Sequence, residues 1–566
     1  MKEKNRGFQL LLQLLIILAL IGFVYVFYKR QINISGFVED LKVSSLPYYI
    51  IRSLIRMFSA YGLSLVFAFT YGYLAATNKR RETVMIPVLD ILQSVPILGF
   101  FPIAVSFFIS LFPGSIFGVE LAAIFLIFTS QSWNIAFGVY ESIKAIPQDL
   151  MEAYDFFDPH GILKLRRLYI PSCIPKVIYN SMVSWSNGWY FLVASEIFAV
   201  GAQAFRLPGI GSFILVSASE NKIGLVLLGI VVLACTILLL DMFMWRPLSQ
   251  WSSRFKYSVS SGEQEEKEVL DIVVAFWELV GRALRYLKKP FQSIDLSFIS
   301  NIGHFFSSKV FVKVGKILRF VLIILLIGVS AFLLLSAARF GVNAFTTFKL
   351  SYLNTTLKAL LLSFLRIVIS YLIAVLWTIP AAIYLFNHKS ASKFVMPAFQ
   401  VLSSIPAISF FPLLLYILLP LRFGLEFSSI ILILSGMQWY IFFISYGGLK
   451  AIPNDLLEVV DSYGVKGSLR LKRLLIPAML PSFMTGTITA FGGAWNALVV
   501  AEYINVKDKI YTVNGIGALL NISLNQNERV LFTFALFVLV VTVYCINHFV
   551  YRPLYDKIFD RYRMEA

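Results

Sequence analysis

One stretch of this chain occurs twice. Residues 146–175 read IPQDLMEAYDFFDPHGILKLRRLYIPSCIP, and residues 452–481 read IPNDLLEVVDSYGVKGSLRLKRLLIPAMLP, with no gap between them. The offset is constant (458 − 152 = 306, 477 − 171 = 306), so the chain is an internal duplication. Each copy opens with Pro147 or Pro453, followed by Asp149 and Glu152 or Asp455 and Glu458. Proline in the first turn and carboxylates near the positive end of the dipole predict a short helix there. Gly161 or Gly467 follows, then a basic segment (Lys164, Arg166, Arg167; Arg470, Lys472, Arg473), then Ile170-Pro171 or Ile476-Pro477 at the foot of a long apolar run. The order predicts an amphipathic cytoplasmic helix, a turn, and re-entry into a membrane.

Composition agrees with that last step. Of 566 residues 58% are hydrophobic and only 14% charged, against roughly 25% charged in a soluble domain, which makes this a polytopic membrane protein. A net charge of +18 would raise nucleic-acid binding in a soluble chain. Here Lys and Arg gather largely in alternate loops, as the positive-inside rule requires, so the partner read from them is the lipid bilayer and no nucleic acid. Cys173, Cys235 and Cys545 are too scattered for a disulfide framework. His160, His304, His388 and His548 make no ligand spacing, and no His/Asp or Ser/Lys constellation recurs, so neither a metal site nor catalytic residues are predicted.

Taken in order, residues 1–30 read as an uncleaved first span entered from the cytoplasm. Further spans are expected near residues 48–77, 84–111, 119–140, 175–196 and 223–245. The third contains Pro96 and Pro102, which free backbone carbonyls and predict a kinked helix buried among others. Residues 250–315 change character, with a Ser/Gly/Glu-rich segment followed by an amphipathic stretch with a basic end, which reads either as a helix on the inner leaflet or as a linker with an incidental helix. The pattern then restarts. Ser53, Arg56 and Pro96 match Ser363, Arg366 and Pro406 at an offset of 310 (366 − 56). Glu196, Gly209-Ile210-Gly211 and Arg246-Pro247-Leu248 match Glu502, Gly515-Ile516-Gly517 and Arg552-Pro553-Leu554 at 306 (502 − 196). The predicted organisation is a first domain over 1–249, a linker over 250–315 and a second domain over 316–566. The fold class is all-α: two tandem six-helix halves, about 12 spans, related by a pseudo-twofold axis along the membrane normal. An even number of spans per repeat puts both repeated loops on the same side.

The repeated loop resembles the EAA loop of binding-protein-dependent ABC importer permeases, whose pattern is Glu-Ala-Ala, three residues, Gly, nine residues, Ile-x-Leu-Pro. Glu458, Gly464 and Pro477 fall on that spacing, with Val459-Val460 for the two alanines. Glu152, Ala153 and Pro171 do so in the first copy, where Asp158 replaces the glycine and Pro159 with Gly161 offers another turn. The resemblance implies a coupling helix docking on an ATPase through Glu152, Ala153, Tyr154, Gly161 and Pro171, and through Glu458, Tyr463, Gly464, Gly467 and Pro477. Glu152 and Glu458 are assigned to capping and docking polarity, and Tyr154, Phe157 and Tyr463 to apolar knobs.

Ser-x-x-Arg, the Pro-x-x-x-Phe-Phe-Pro run, Ser-Glu or Ala-Glu and Gly-Ile-Gly look like the nitrate, taurine, alkanesulfonate and bicarbonate group of type I permeases. The implied function is import of a small anion by alternating access. The implied partners are two copies of an ATPase subunit and an extracytoplasmic substrate-binding protein. No Gly-x-x-x-x-Gly-Lys-Ser/Thr stretch occurs, so ATP and Mg²⁺ are expected on that separate subunit and no cofactor on this chain. The expected location is a bacterial or archaeal inner (plasma) membrane, with both termini cytoplasmic. Fused ferric-iron or thiamine permeases, and an ion-coupled secondary transporter, stand as alternatives.

Charges near the spans bear on the pathway. Arg56 and Arg366 are placed to attract an anion, or to pair with Glu196 and Glu502 and tie helices together at the outer interface; the second reading is favoured, since Arg snorkels. Asp90 has Gln400 as its counterpart, so its role is asymmetric.

Overall fold

The computed structural model describes residues 42–94, 96–112, 115–157, 164–197, 207–255, 348–506 and 509–562. The expected first span, the segment that would open the second half, and most of the 250–315 linker lie outside them. Contacts group residues 33–261 and 351–566 into one compact unit.

In the first half, α1 (Leu46–Ala76) leads through α2 (Lys79–Ser94) and α3 (Ile97–Leu111) to α4 (Ile116–Lys144). Then come α5 (Gln148–Phe157), α6 (Ile170–Ile197), α7 (Ile210–Ser219), α8 (Ile223–Leu240) and α9 (Arg246–Ser253). The second half repeats the order with α10 (Leu350–Asn387), α11 (Lys389–Ser404), α12 (Ala407–Leu418), α13 (Gly424–Lys450) and α14 (Asn454–Ser462). A single turn α15 (Gly467–Arg470), α16 (Ile476–Ala501), α17 (Ile516–Asn525), α18 (Arg529–Cys545) and α19 (Arg552–Tyr562) complete it. One antiparallel hairpin, β1 (Tyr503–Val506) with β2 (Lys509–Thr512), interrupts the all-α pattern between α16 and α17. Among the described residues seven helices are long and apolar enough to cross a membrane, or eight with one bent pair counted as a span.

Small side chains set how the long helices meet. The buried stripe of α1 runs Ser53, Arg56, Ala60, Ser64, Ala68, Gly72 and Ala75, and that of α10 runs Ala359, Ser363, Arg366, Ser370, Ala374, Thr378 and Ala382. Between apolar helices in lipid, close backbone approach replaces the hydrophobic driving force. A Cβ on Gly72 would stand 2.7 Å from Val139 Cβ, so α1 and α4 pack there without room for one methyl.

Prolines shape the rest. The third span is not a kinked helix: it breaks at Pro96 into α2 and α3, and its counterpart α11–α12 turns by 84° at Pro406. Four other prolines widen a turn. Ile170, Arg246, Ile476 and Arg552 each precede a proline and each donate to the carbonyl five residues back, closing π-helical turns at 165–169, 241–245, 471–475 and 546–551. The ring that follows cannot donate and crowds the carbonyl four residues back, so the helix takes the wider turn.

The halves interlock reciprocally. Helix α3 packs on α16 and α17 while α12 packs on α6 and α7, and α2 meets α18 as α11 meets α8. Exchange of equivalent elements is what a pseudo-twofold relation requires.

Candidate functional site

The repeated loops form matched surfaces at one end of the bundle. Helix α5 starts at Gln148 and α14 at Asn454, so Pro147 and Pro453 stand just before the first helical residue rather than within the first turn. Glu152 and Glu458 are the fifth helical residues, past the first-turn N–H groups, and are exposed; they do not cap. Ala153 is exposed beside Glu152.

The inner face is apolar in both copies. Leu150, Met151 and Tyr154 pack on a buried cluster that includes Val139, Ile143, Leu168 and Tyr169, and Leu457 and Val460 on one that includes Tyr446, Leu449, Leu474 and Leu475. Tyr154 is therefore a core contact and not a free knob, because it lies on the same helical face as Leu150 and Met151. Among the described side chains of these loops the exposed aromatics are Phe156, at 83%, and Tyr463, at 82%; the Phe157 side chain lies outside those described.

Gly464 takes φ +64° and ends α14: its N–H donates to Asp461 O and that of Val465 to Val460 O. This paired closure needs a residue in the left-handed region, which glycine supplies without strain. Gly467, at φ +59°, opens α15, and Arg470 reaches back to Asp461 at 2.7 Å. Pro171 and Pro477 follow the π-turns that join these loops to α6 and α16. Asp158 and Gly161 lie outside the described residues. At the start of α2, Glu82 accepts from Lys144 Nζ at 2.6 Å and from the Tyr140 hydroxyl, which ties α2 to the end of α4. Those donors hold its carboxyl below the usual range.

The second pair of sites lies at the opposite end of the same helices. Arg56 donates to both oxygens of Glu120, to Glu196 Oε1 at 2.7 Å and to Pro208 O at 2.9 Å. Arg52 donates to Glu120 Oε1 at 2.7 Å. Ser53 Oγ donates to Glu196 Oε1 at 2.6 Å and accepts from the Ile210 N–H, while the Gly211 N–H donates to Glu196 Oε2 at 2.7 Å.

The second half repeats the set. Arg366 spans Glu426 (2.7 and 2.8 Å) and Glu502 (2.7 Å), and Ser363 and Gly517 hold Glu502 at 2.6 and 2.8 Å. Each network joins four helices and seats a carboxylate on the amino end of α7 or α17, where first-turn N–H groups favour negative charge. The Gly-Ile-Gly motif exists for this seat. Gly209 and Gly515 have extended backbones that any residue adopts, but a Cβ on either would collide with the Glu196 or Glu502 carboxylate.

Arg56 and Arg366 are thus each gripped by two carboxylates and brace helices. Glu120 and Glu426 are the residues that sequence reasoning missed, although they too repeat at 306 (426 − 120). The copies differ in one respect: Leu362 stands where Arg52 would repeat, and the Glu426 side chain is 43% exposed against 2% for Glu120.

Among the described residues, polar contacts between the halves include three hydrogen bonds. Tyr440 donates to Asn187 Oδ1 at 2.7 Å, Ile97 N–H to Asn496 Oδ1 at 2.8 Å, and Arg552 to Asp90 Oδ2 at 3.1 Å. Asp90 therefore belongs to a half-to-half contact, and Pro96 and Pro406 are buried at the breaks that bring α3 and α12 to the opposite half.

The sequence profile of the family described as "Binding-protein-dependent transport system inner membrane component" matches residues 68–245 and, again, 374–552. The bicarbonate transport system permease protein CmpB of Synechococcus elongatus is 25% identical over 205 residues, 36% of this chain and 68% of that protein. The nitrate import permease protein NrtB of Synechocystis is 24% identical over 200 residues, 34% of this chain and 66% of its own length. The putative aliphatic sulfonates transport permease protein SsuC of Escherichia coli is 32% identical over 112 residues, 20% of this chain and 41% of its own.

Proposed function

This chain belongs to the binding-protein-dependent transport system inner membrane components, and from that premise we propose that it is both permease halves of one importer, moving a small oxyanion. The anion reading rests on its relatives, whose names specify bicarbonate, nitrate and sulfonates. Separate ATPase subunits, one under each half, hydrolyse Mg-ATP, and an extracytoplasmic binding protein delivers the solute. Both termini lie in the cytoplasm of a bacterial or archaeal cell.

The observation that carries this reading is the pair of surface helices, α5 and α14. Each is anchored by an apolar inner face and presents Glu152 with Phe156, or Glu458 with Val459 and Tyr463, to solvent. Exposed aromatics beside a carboxylate suit docking into a protein groove. Approach of two ATPase subunits pushes the loops together, and the π-turns transmit that push into α6 and α16. At their far ends these helices are clamped by Glu196 and Glu502, so each half moves as a body about contacts such as Tyr440–Asn187.

The test is co-purification of the tagged chain from its native membrane, in wild-type form and as the Glu152→Ala, Glu458→Ala double variant. A P-loop ATPase that accompanies the first and is depleted from the second supports the reading. Absence of any ATPase from the wild type in mild detergent refutes it.

A further inference from the structure

The two helix breaks between the halves are not finished in the same way. Helix α3 begins after Pro96, and the N–H of its first residue, Ile97, is capped by Asn496 from α16 of the opposite half. Helix α12 begins after Pro406, and among the described residues no side chain accepts from the N–H of its first residue, Ala407, as Asn496 does from Ile97. The repeat offsets (407 − 97 = 310, 496 − 190 = 306) put Tyr190 of α6 where Asn496 stands, and α6 packs on α12 as α16 packs on α3.

The Tyr190 hydroxyl is buried and has no hydrogen-bond partner among the described residues. The same is true of Ser409 Oγ, in a residue that is 0% exposed. Ser409 is the third residue of α12, and helical side chains lean toward the amino end. A polar side chain there ordinarily meets the N–H of the capping residue, but here that residue is proline and has none. Its counterpart in α3 is Gly99 (409 − 310), which brings no hydroxyl. One break is therefore closed by the protein's own amide. The other presents a helix amino end with the buried Ser409 hydroxyl, and the repeat relation puts the Tyr190 hydroxyl on the helix packed beside it; neither has an acceptor among the described residues, which is costly unless something accepts from them.

We propose that the amino end of α12, with Ser409 and Tyr190, binds a small oxyanion, once per chain rather than once per half. The proposal rests on the anion reading above. First-turn N–H groups and O–H donors together match the oxygens of such an ion and none of them repels it. Neutral donors hold an anion weakly enough to release it, as a transit site must, whereas Arg56 and Arg366 are already occupied by carboxylates.

The experiment uses the full chain with its ATPase, in lipid nanodiscs for binding and in proteoliposomes supplied with the binding protein for transport, and three probes: sodium nitrate, sodium bicarbonate and sodium ethanesulfonate. Binding is read as the rise in thermal midpoint with probe concentration, and transport as ATP-driven uptake of the same probe. One probe is expected to stabilise the wild type, and its half-saturating concentration to rise about tenfold in Ser409→Ala and again in Tyr190→Phe, with uptake falling in step. Ser403→Ala, which removes only a contact to Gln400 O on the outside of α11, stays at the wild-type level. Equal half-saturation in wild type and both variants overturns the site, as does uptake of a probe that never stabilises the wild type; either result leaves import itself standing. If no probe is bound or taken up, the site and the anion reading fall together.

Discussion

Glu120 and Glu426 occupy the same place in the two repeats, yet their replacement by glutamine should have very different effects. Around the first, Arg52 and Arg56 balance Glu120 and Glu196, two positive charges against two negative, and Arg56, Glu120 and Glu196 are almost fully buried. Glu120→Gln leaves that cluster with one uncompensated positive charge. Breaking a buried pair from one side costs about 3–5 kcal/mol, a large part of a total stability of about 5–15 kcal/mol. Around the second, Arg366 alone faces Glu426 and Glu502, an excess of one negative charge, and Glu426 is the solvated member. Glu426→Gln removes the excess and leaves the Arg366–Glu502 pair intact, so the expected change is about 0–1 kcal/mol. The assay is thermal unfolding of the detergent-purified full chain, followed by tryptophan fluorescence, with folded yield from the membrane as a second readout. Glu120→Gln should drop well below wild type on both while Glu426→Gln stays close to it. Equal losses, or a greater loss for Glu426→Gln, would refute the reasoning.

Gly515→Ala should destabilise by about 1–3 kcal/mol through collision with the Glu502 carboxylate; a thermal midpoint equal to wild type would show that the seat is loose. Gly464→Ala should cost about 1–2 kcal/mol, because its φ of +64° is in the left-handed region, and the loss should appear as weaker retention of the ATPase as well as a lower midpoint. Glu458→Ala should reduce transport more than Glu152→Ala, since Glu458 lies on the copy with the glycine-terminated helix; equal losses in an uptake assay would sink the idea of unequal docking. Lys144 and the Tyr140 hydroxyl hold the Glu82 carboxyl below its ordinary value of 4.5. A depressed carboxylate stabilises above its unfolded pKa, and that contribution disappears as pH falls through the folded value. The midpoint gap between wild type and Glu82→Gln should therefore be full near neutral pH and close on acidification, while a gap independent of pH would argue against the contact.

The duplication made much of this legible beforehand, because a constant offset flags paired residues without any knowledge of packing. Ser53, Arg56 and Glu196 stood out with their partners for that reason. Glu120 and Glu426 repeat as faithfully, but a lone acid near the start of an apolar run reads as a span boundary until the neighbouring helix is known to bring an arginine to it. Pro96 alone predicts a kink, because a proline signals only the loss of a bond. Whether the chain bends slightly or turns by 84°, as at Pro406, depends on what the following helix packs against. Tyr154 is ambiguous for a related reason: an aromatic on a short helix suits docking or core equally, and its packing with Leu150 and Met151 shows only once the inner face is known.

The bond from Ile97 to Asn496 joins residues 399 positions apart. At a synthesis rate of about 5–20 residues per second, roughly 20–80 seconds pass before the acceptor for that N–H is made. During that interval the Ile97 N–H at the start of α3 is without the acceptor it has in the finished fold. The first half on its own therefore lacks the cap of this break, and the nascent permease can close it only after Asn496 has been made.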